Sequence, residues 1–108
     1  MAHNVEGPWM LVQSNGFRVS VDIAQARDPS GRVTDGPFHG AAHVVGGAEA
    51  NLNGELRGDS FEFEVDWPNG TKGKYEGNFD AREFLSGVTF DLANPTSQAT
   101  WFQDLGQV

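Results

Sequence analysis

The segment Phe61-Glu62-Phe63-Glu64-Val65-Asp66-Trp67 decides the fold class, because its side chains alternate between apolar and acidic at every step. A period of two is that of a β-strand, whose successive side chains point to opposite faces of the sheet. One face of this strand is therefore predicted to be buried and the other to face water, as in antiparallel sheets. The segment 17–24 repeats the alternation, with apolar side chains at its odd-numbered positions.

Turn-forming residues separate segments of this kind. Asn15-Gly16 and Pro68-Asn69-Gly70 each lie between two alternating runs, which is the pattern of a β-hairpin. The predicted strands are 8–14, 17–25, 32–39, 41–46, 49–57, 60–67, 71–79 and 85–92. An extended segment, 97–103, is expected to pair with the first strand.

The strand pattern predicts an all-β fold, a single antiparallel meander of about eight strands that closes into a small barrel. Closure is favoured because it removes the exposed edges that a long meander would leave. A two-sheet sandwich obeys the same alternation and stays open as the alternative. The whole chain, 1–108, is predicted to be one β-barrel domain, with 1–6 as a flexible N-terminal segment.

A short glycine pattern recurs along the meander. It reads glycine, any residue, a bulky apolar residue, any residue, glycine, at 36–40, 54–58 and 73–77, with a partial copy at 84–87. On a strand, both glycines face the same side as the central residue. Glycines in such places let strands bend sharply or approach closely, as a narrow barrel requires.

These features resemble the calycin-like up-and-down barrels, the avidin and lipocalin-type folds. The resemblance consists of the early tryptophan in Gly7-Pro8-Trp9, the glycine pattern, and the late tryptophan in Ala99-Thr100-Trp101. It implies an eight-stranded barrel with a ligand in its open mouth. The chain departs from lipocalins in showing no C-terminal helix after Trp101, and the polar biotin contacts of avidins have no counterparts here. The architecture therefore carries over, and a ligand does not.

Composition excludes several classes of function. The chain has 108 residues, no cysteine and a formal net charge of −8. Disulfide scaffolds and thiolate chemistry are excluded, and an acidic surface argues against nucleic-acid and membrane partners. The N-terminal residues carry no signal-peptide pattern, so a cytoplasmic location is expected, with secretion open if a signal was removed.

The predicted inward face is unusually aromatic, which favours binding of a small apolar or aromatic molecule. Tyr75 is the first choice for a ligand anchor, with Gln13, Asn15 and Gln98 as further polar groups aimed into the mouth. The candidate ligand-binding residues are Trp9, Phe17, Phe63, Trp67, Tyr75, Phe90 and Trp101. The other residues predicted to face inward are Leu11, Val19, Val21, Ile23, Phe61, Val65, Phe79 and Val88.

Two alternatives stay open. The first is a small barrel enzyme, an isomerase, cyclase or hydrolase acting on a hydrophobic substrate, with His39, His43 and Asp35 beside Tyr75 as its proton-transfer groups. On a strand, four residues span about 13 Å, so the two histidines would not share a metal ion, and neither a metal nor another cofactor is predicted. The second is an acidic interaction or inhibitor domain for a basic partner. A homodimer is compatible with every one of these functions.

Overall fold

The computed structural model describes residues 3–44, 47–68 and 70–104, which form eight antiparallel strands and no helix. Each strand pairs with the next in the chain, and the last pairs with the first, which makes a closed barrel. The strands are β1 (Gly7–Gln13), β2 (Arg18–Ala24), β3 (Gly36–Val44), β4 (Ala50–Arg57), β5 (Ser60–Asp66), β6 (Lys72–Phe79), β7 (Leu85–Asp91) and β8 (Asn94–Asp104). The described part of the chain thus has no helix long and apolar enough to cross a membrane.

The predicted all-β meander is confirmed, and the pairing of its ends decides between barrel and sandwich. Met10 lies opposite Asp104, and Gln13 lies opposite Trp101, so β8 completes the hydrogen-bonded ring. The extended segment predicted at 97–103 is therefore part of β8, and it does pair with the first strand.

One predicted strand boundary is wrong. The segments 32–39 and 41–46 were predicted as two strands, but Gly36–Val44 is one strand, and residues 45 and 46 lie outside the described residues. Gly40 does not interrupt the ladder, because it pairs with Ile23 on one side and Leu52 on the other. Residues 32–35 belong instead to the β2–β3 loop, where Val33 forms an isolated bridge with Arg27.

Aromatic rings fill most of the barrel interior. Phe61 is at their centre, with its ring centroid 5.3 Å from that of Phe38, 5.4 Å from Phe63 and 6.3 Å from Trp101. Aliphatic side chains of the inward rows, including Leu11, complete the buried cluster. The alternation read from the segment 61–67 is confirmed, since Phe61, Phe63 and Val65 are all buried and the acidic residues between them are exposed.

Inward-facing glycines make room for the largest of these rings. Gly77 and Gly87 are paired across β6 and β7, and the Trp101 indole lies over them. A Cβ atom on Gly77 would stand 2.8 Å from Cζ2 of Trp101, and one on Gly87 would overlap the backbone carbonyl oxygen of Glu76. The indole nitrogen of Trp101 donates a hydrogen bond to the Val88 carbonyl, 2.9 Å away. At Gly77 and Gly87, β6 and β7 approach closely, as the glycine pattern predicted.

The prediction that Val88 and Phe90 of β7, and Phe17, face the barrel interior is wrong. Leu85, Gly87 and Thr89 face the interior, whereas Val88 is 37% exposed and Phe90 falls in the outer row, opposite Lys74. The reason is that Gly87 must face Trp101, which sets the parity of the whole strand. Phe17 is 54% exposed because β2 begins only at Arg18, so Phe17 belongs to the hairpin turn.

The segment 3–6 covers one end of the barrel, here called the closed end, where the β2–β3, β4–β5 and β6–β7 connections lie. Val5 is buried there, and its backbone N–H donates to the Gln25 side chain at 2.9 Å. The Gln25 amide donates in turn to the carbonyl of His3 at 2.8 Å, and the Trp9 indole donates to that of Val5 at 3.0 Å. Residues 1 and 2 lie outside the described residues, and flexibility of 1–6 stays a prediction.

His3 joins this segment to two turns of the closed end. Its ring stacks on Phe79 with centroids 3.9 Å apart. Its Nε2 lies 2.7 Å from Oδ1 of Asp59, and its Nδ1 lies 2.9 Å from Oε1 of Glu83. The hydrogen bond with Asp59 raises the pKa of His3, partial burial opposes this, and the bond with Glu83 raises the pKa further. The charged imidazolium is thus the form that fits the site.

Substitution of Gly87 tests the role of the inward glycines. Gly87→Ala is expected to lower the free energy of unfolding by about 3 kcal/mol, because the added methyl group forces β6 and β7 apart. Ser86→Ala, at the neighbouring exposed position, is the control and should change it by less than about 0.5 kcal/mol. Urea denaturation measures both, and equal effects would contradict the role assigned to Gly87.

Substitution of His3 tests the contact at the closed end. Because the folded pKa of His3 is raised, its stabilisation is fully present below the unfolded pKa of about 6.5 and is lost as pH rises through the folded pKa. Wild type should exceed His3→Gln in unfolding free energy near pH 6, and the difference should shrink toward pH 9. His39→Gln, which alters an exposed histidine on β3, is the control and should change the unfolding free energy near pH 6 by less than about 0.5 kcal/mol. A difference between wild type and His3→Gln that is constant with pH would contradict the pairing.

Candidate functional site

The end of the barrel opposite the closed end holds a cleft of about 520 Å³. This open end is where the β1–β2, β3–β4, β5–β6 and β7–β8 connections lie. The cleft exists because the inward residues nearest this end are small or polar, such as Gly73, Thr89 and Ala99, and do not fill the mouth. Residues that line it include Gln13, Asn15, Phe17, Trp67, Tyr75, Thr89, Phe90, Asp91 and Gln98.

Aromatic side chains form the walls of the cleft. Trp67, which follows β5 directly, is half-buried and packs against the hydrophobic core. Its indole occupies space that Gly73 leaves open, since a Cβ atom on Gly73 would lie 3.0 Å from the indole nitrogen. Phe17 contributes from the β1–β2 turn, and Phe90 borders the cleft where a bulge between Phe90 and Asp91 shifts the pairing of β7 with β8.

Tyr75 forms the floor of the cleft. Its ring stacks on that of Phe63 with centroids 4.6 Å apart and planes 4° from parallel. Its hydroxyl donates to Oε1 of Gln13 at 2.7 Å, and the Gln13 amide donates to Oδ1 of Asn15 at 3.1 Å. The floor is therefore a fixed chain of hydrogen bonds that leads from the core to the rim.

Burial sets the protonation state of this floor. It raises the pKa of the Tyr75 hydroxyl to about 12, against a smaller opposing effect of the hydrogen bond with Thr89. Removal from water disfavours the charged phenolate, so Tyr75 keeps its proton at neutral pH. The hydroxyl therefore serves as a neutral hydrogen-bonding group.

The structure brings together four of the seven candidate ligand-binding residues. Phe17, Trp67, Tyr75 and Phe90 line the cleft. Phe63 and Trp101 are buried behind the Tyr75 ring, with the Trp101 ring 6.2 Å from it. Trp9 lies toward the closed end, 6.1 Å from the ring of Phe61, so it cannot touch a molecule in the mouth.

The uncharged polar residues proposed for the mouth lie where the sequence suggested. Gln13, Asn15 and Gln98 all line the cleft. Thr89 and Asp91 line it too, and the sequence reasoning missed both as members of the site. The partial glycine pattern contained the signal, because Leu85 and Gly87 on the inward face of a strand place Thr89 and Asp91 on the same face.

The candidate proton-transfer residues do not meet. His39 and His43 both lie in the outer row of β3, His39 opposite Asn53 and His43 opposite Ser20. Asp35 lies before β3 at the closed end, where its Oδ2 accepts a hydrogen bond from the Gly58 N–H at 2.9 Å. None of the three lines the cleft. Among residues 3–44, 47–68 and 70–104, no group of three His, Asp or Glu side chains is placed to hold a metal ion.

Comparison with protein-family models, with curated proteins and with solved structures finds no match for this chain.

Titration of Tyr75 tests the burial of the floor. The chain has one tyrosine, so phenolate absorbance reports this residue alone, with an expected midpoint near 12 in the folded protein. The neutral Tyr75 hydroxyl contributes fully to the free energy of unfolding below the pKa that tyrosine has in the unfolded chain, about 10. This contribution is lost as pH rises toward the pKa of the folded protein. The stability advantage of wild type over Tyr75→Phe should therefore fall by about 3 kcal/mol between these pH values. A midpoint near 10, as in the urea-unfolded chain, would contradict a buried floor.

Proposed function

We propose that this protein binds one small apolar or aromatic molecule in the cleft at the open end of the barrel. The observation that carries the proposal is the combination of aromatic walls at Phe17 and Trp67 with a fixed polar floor at Tyr75. Apolar walls supply affinity, and a few oriented polar groups supply specificity, in most small-molecule sites.

The size and rigidity of the cleft support this function. A volume of about 520 Å³ lies within the range of small-molecule pockets, roughly 300–1,000 Å³. The floor is held by the stack of Tyr75 on Phe63 and by the hydrogen bond to Gln13. A site built on strands that are already packed loses little conformational entropy when a ligand binds.

The same geometry favours binding over catalysis. Tyr75 keeps its proton at neutral pH, and His39 and His43 lie on the outer face of the barrel. A general acid or base must come within hydrogen-bond reach of the reacting group. Of the side chains suggested for the enzyme alternative, Tyr75 alone lines the cleft, and His39, His43 and Asp35 lie away from it.

Fluorescence titration with N-phenyl-1-naphthylamine, a neutral aromatic probe, tests the proposal. The fluorescence of the probe should rise on binding and saturate at one probe per chain. Trp9→Phe, the control at the closed end, should leave the affinity for the probe unchanged. Trp67→Ala should weaken probe binding about tenfold, because a wall of the cleft is lost.

Two results would contradict the proposal. One is probe binding that does not saturate, which is typical of adsorption on exposed apolar surface. The other is a Trp67→Ala variant that binds the probe as tightly as wild type while remaining folded by circular dichroism.

A further inference from the structure

The charges of the described chain are distributed unevenly between the two ends of the barrel. Near the open end, Lys72 lies 3.6 Å from Asp66, and Arg18 lies 2.6 Å from Asp104. The two arginines that have no carboxylate within 4 Å among the described residues are in the β2–β3 loop and the β6–β7 turn, at the closed end; they are Arg32 and Arg82. Lys72 lines the cleft, but Asp66 balances its charge, and Asp104 balances that of Arg18.

Two carboxylates at the open end keep their charge unbalanced. Asp91 and Glu49 have no cation within 4 Å among the residues that the structure describes. Only Asp91 lines the cleft, whereas Glu49 is exposed in the β3–β4 connection. The excess charge at the mouth is negative, and one of the two carboxylates, that of Asp91, borders the cleft itself.

Asp91 is held in a defined position in the mouth. It lies on the inward row of β7, two residues or about 6.6 Å beyond Thr89, and it is paired with Gly73. Gly73 has no side chain to cover it, and the Trp67 indole lies beside Gly73. The backbone N–H of Ala93 donates to Oδ1 of Asp91 at 2.8 Å, which leaves Oδ2 for a ligand.

The floor also favours a ligand that donates hydrogen bonds. The Tyr75 hydroxyl proton points to Gln13, and an amide hydrogen of Gln13 points to Asn15. Because Thr89 is also hydrogen-bonded to the Tyr75 hydroxyl, the lone pair that stays free for a ligand is on Oε1 of Gln13. A donor group on the ligand can be accepted here without breaking the chain of hydrogen bonds.

From the carboxylate, the accepting floor and the aromatic walls together we infer that the cleft prefers an arylalkyl ammonium ion to neutral or anionic molecules of the same shape. The inference builds on the proposed function, since it names the class of ligand that the same cleft takes. The aryl group packs between Phe17 and Trp67, and the ammonium group lies next to Asp91 and the faces of the aromatic rings, which attract cations. The negative charge of the mouth adds attraction at long range.

A charge series on one ring system tests the preference. Isothermal titration calorimetry at pH 7 would compare 1-naphthylmethylamine, 1-naphthalenemethanol and 1-naphthoate, which carry charges of +1, 0 and −1 on the same aromatic group. The amine is expected to bind about tenfold more tightly than the alcohol, and the carboxylate most weakly. Added salt should weaken binding of the amine and leave binding of the alcohol nearly unchanged.

Two matched variants locate the source of the preference. Asp91→Asn keeps the acceptor for the Ala93 N–H and removes the charge, so it should weaken amine binding about five- to tenfold and leave alcohol binding unchanged. Glu49→Gln removes the same charge from the rim outside the cleft, and at about 0.15 M salt it should change amine binding less than about twofold.

The outcomes separate this inference from the proposed function. If the alcohol or the carboxylate binds as tightly as the amine, or if Asp91→Asn does not change amine binding, the preference is wrong and binding in the cleft stands. The preference is equally wrong if the neutral naphthylamine probe binds and none of the three compounds does. If neither the probe nor any of the three binds saturably, the proposed function fails.

Discussion

The close approach of the Trp101 indole to Gly77, and of Gly87 to the backbone of Glu76 and Gly77, is the constraint on which the rest of the barrel depends. An eight-stranded barrel encloses a space barely wide enough for side chains. This chain fills that space with rings as large as indole, which is possible only where the facing inward residues have no side chain. The paired glycines therefore fix the parity of β7, the position of Trp101 and the register with which β8 closes on β1.

Because side chains fill the barrel from the closed end to its middle, the space left for a ligand lies at the open end. The segment 3–6 covers the closed end, and the rings around Phe61 occupy the middle. Phe63 carries this packing upward to Tyr75, whose ring is the last layer before the cleft. The floor of the cleft is therefore held rigidly by the core. The residues that line the mouth determine its charge and its hydrogen bonding.

The fold could be predicted from sequence because strand alternation is a local property, clear in the segments 17–24 and 61–67. Trp67 and Tyr75 of the cleft followed from the same alternation, whereas Phe17 reaches the cleft from a turn and Phe90 borders it from the outer row of β7. Thr89 and Asp91 were missed because the parity of β7 depends on Trp101, a contact between strands that local periodicity does not contain. The role of His3 was missed for a similar reason, since its partners Asp59 and Glu83 are more than fifty residues away.

Ring closure joins the first strand of the barrel to the eighth, with Met10 opposite Asp104. Contacts between such distant residues form slowly, because the intervening chain must already be ordered for the two strands to meet. On a ribosome, β1 waits without this neighbour until β8 has been made, and Trp101 reaches Gly77 only then. During synthesis the growing sheet therefore has an open lumen lined with phenylalanine rings, and these rings leave water only when β8 has emerged and paired with β1.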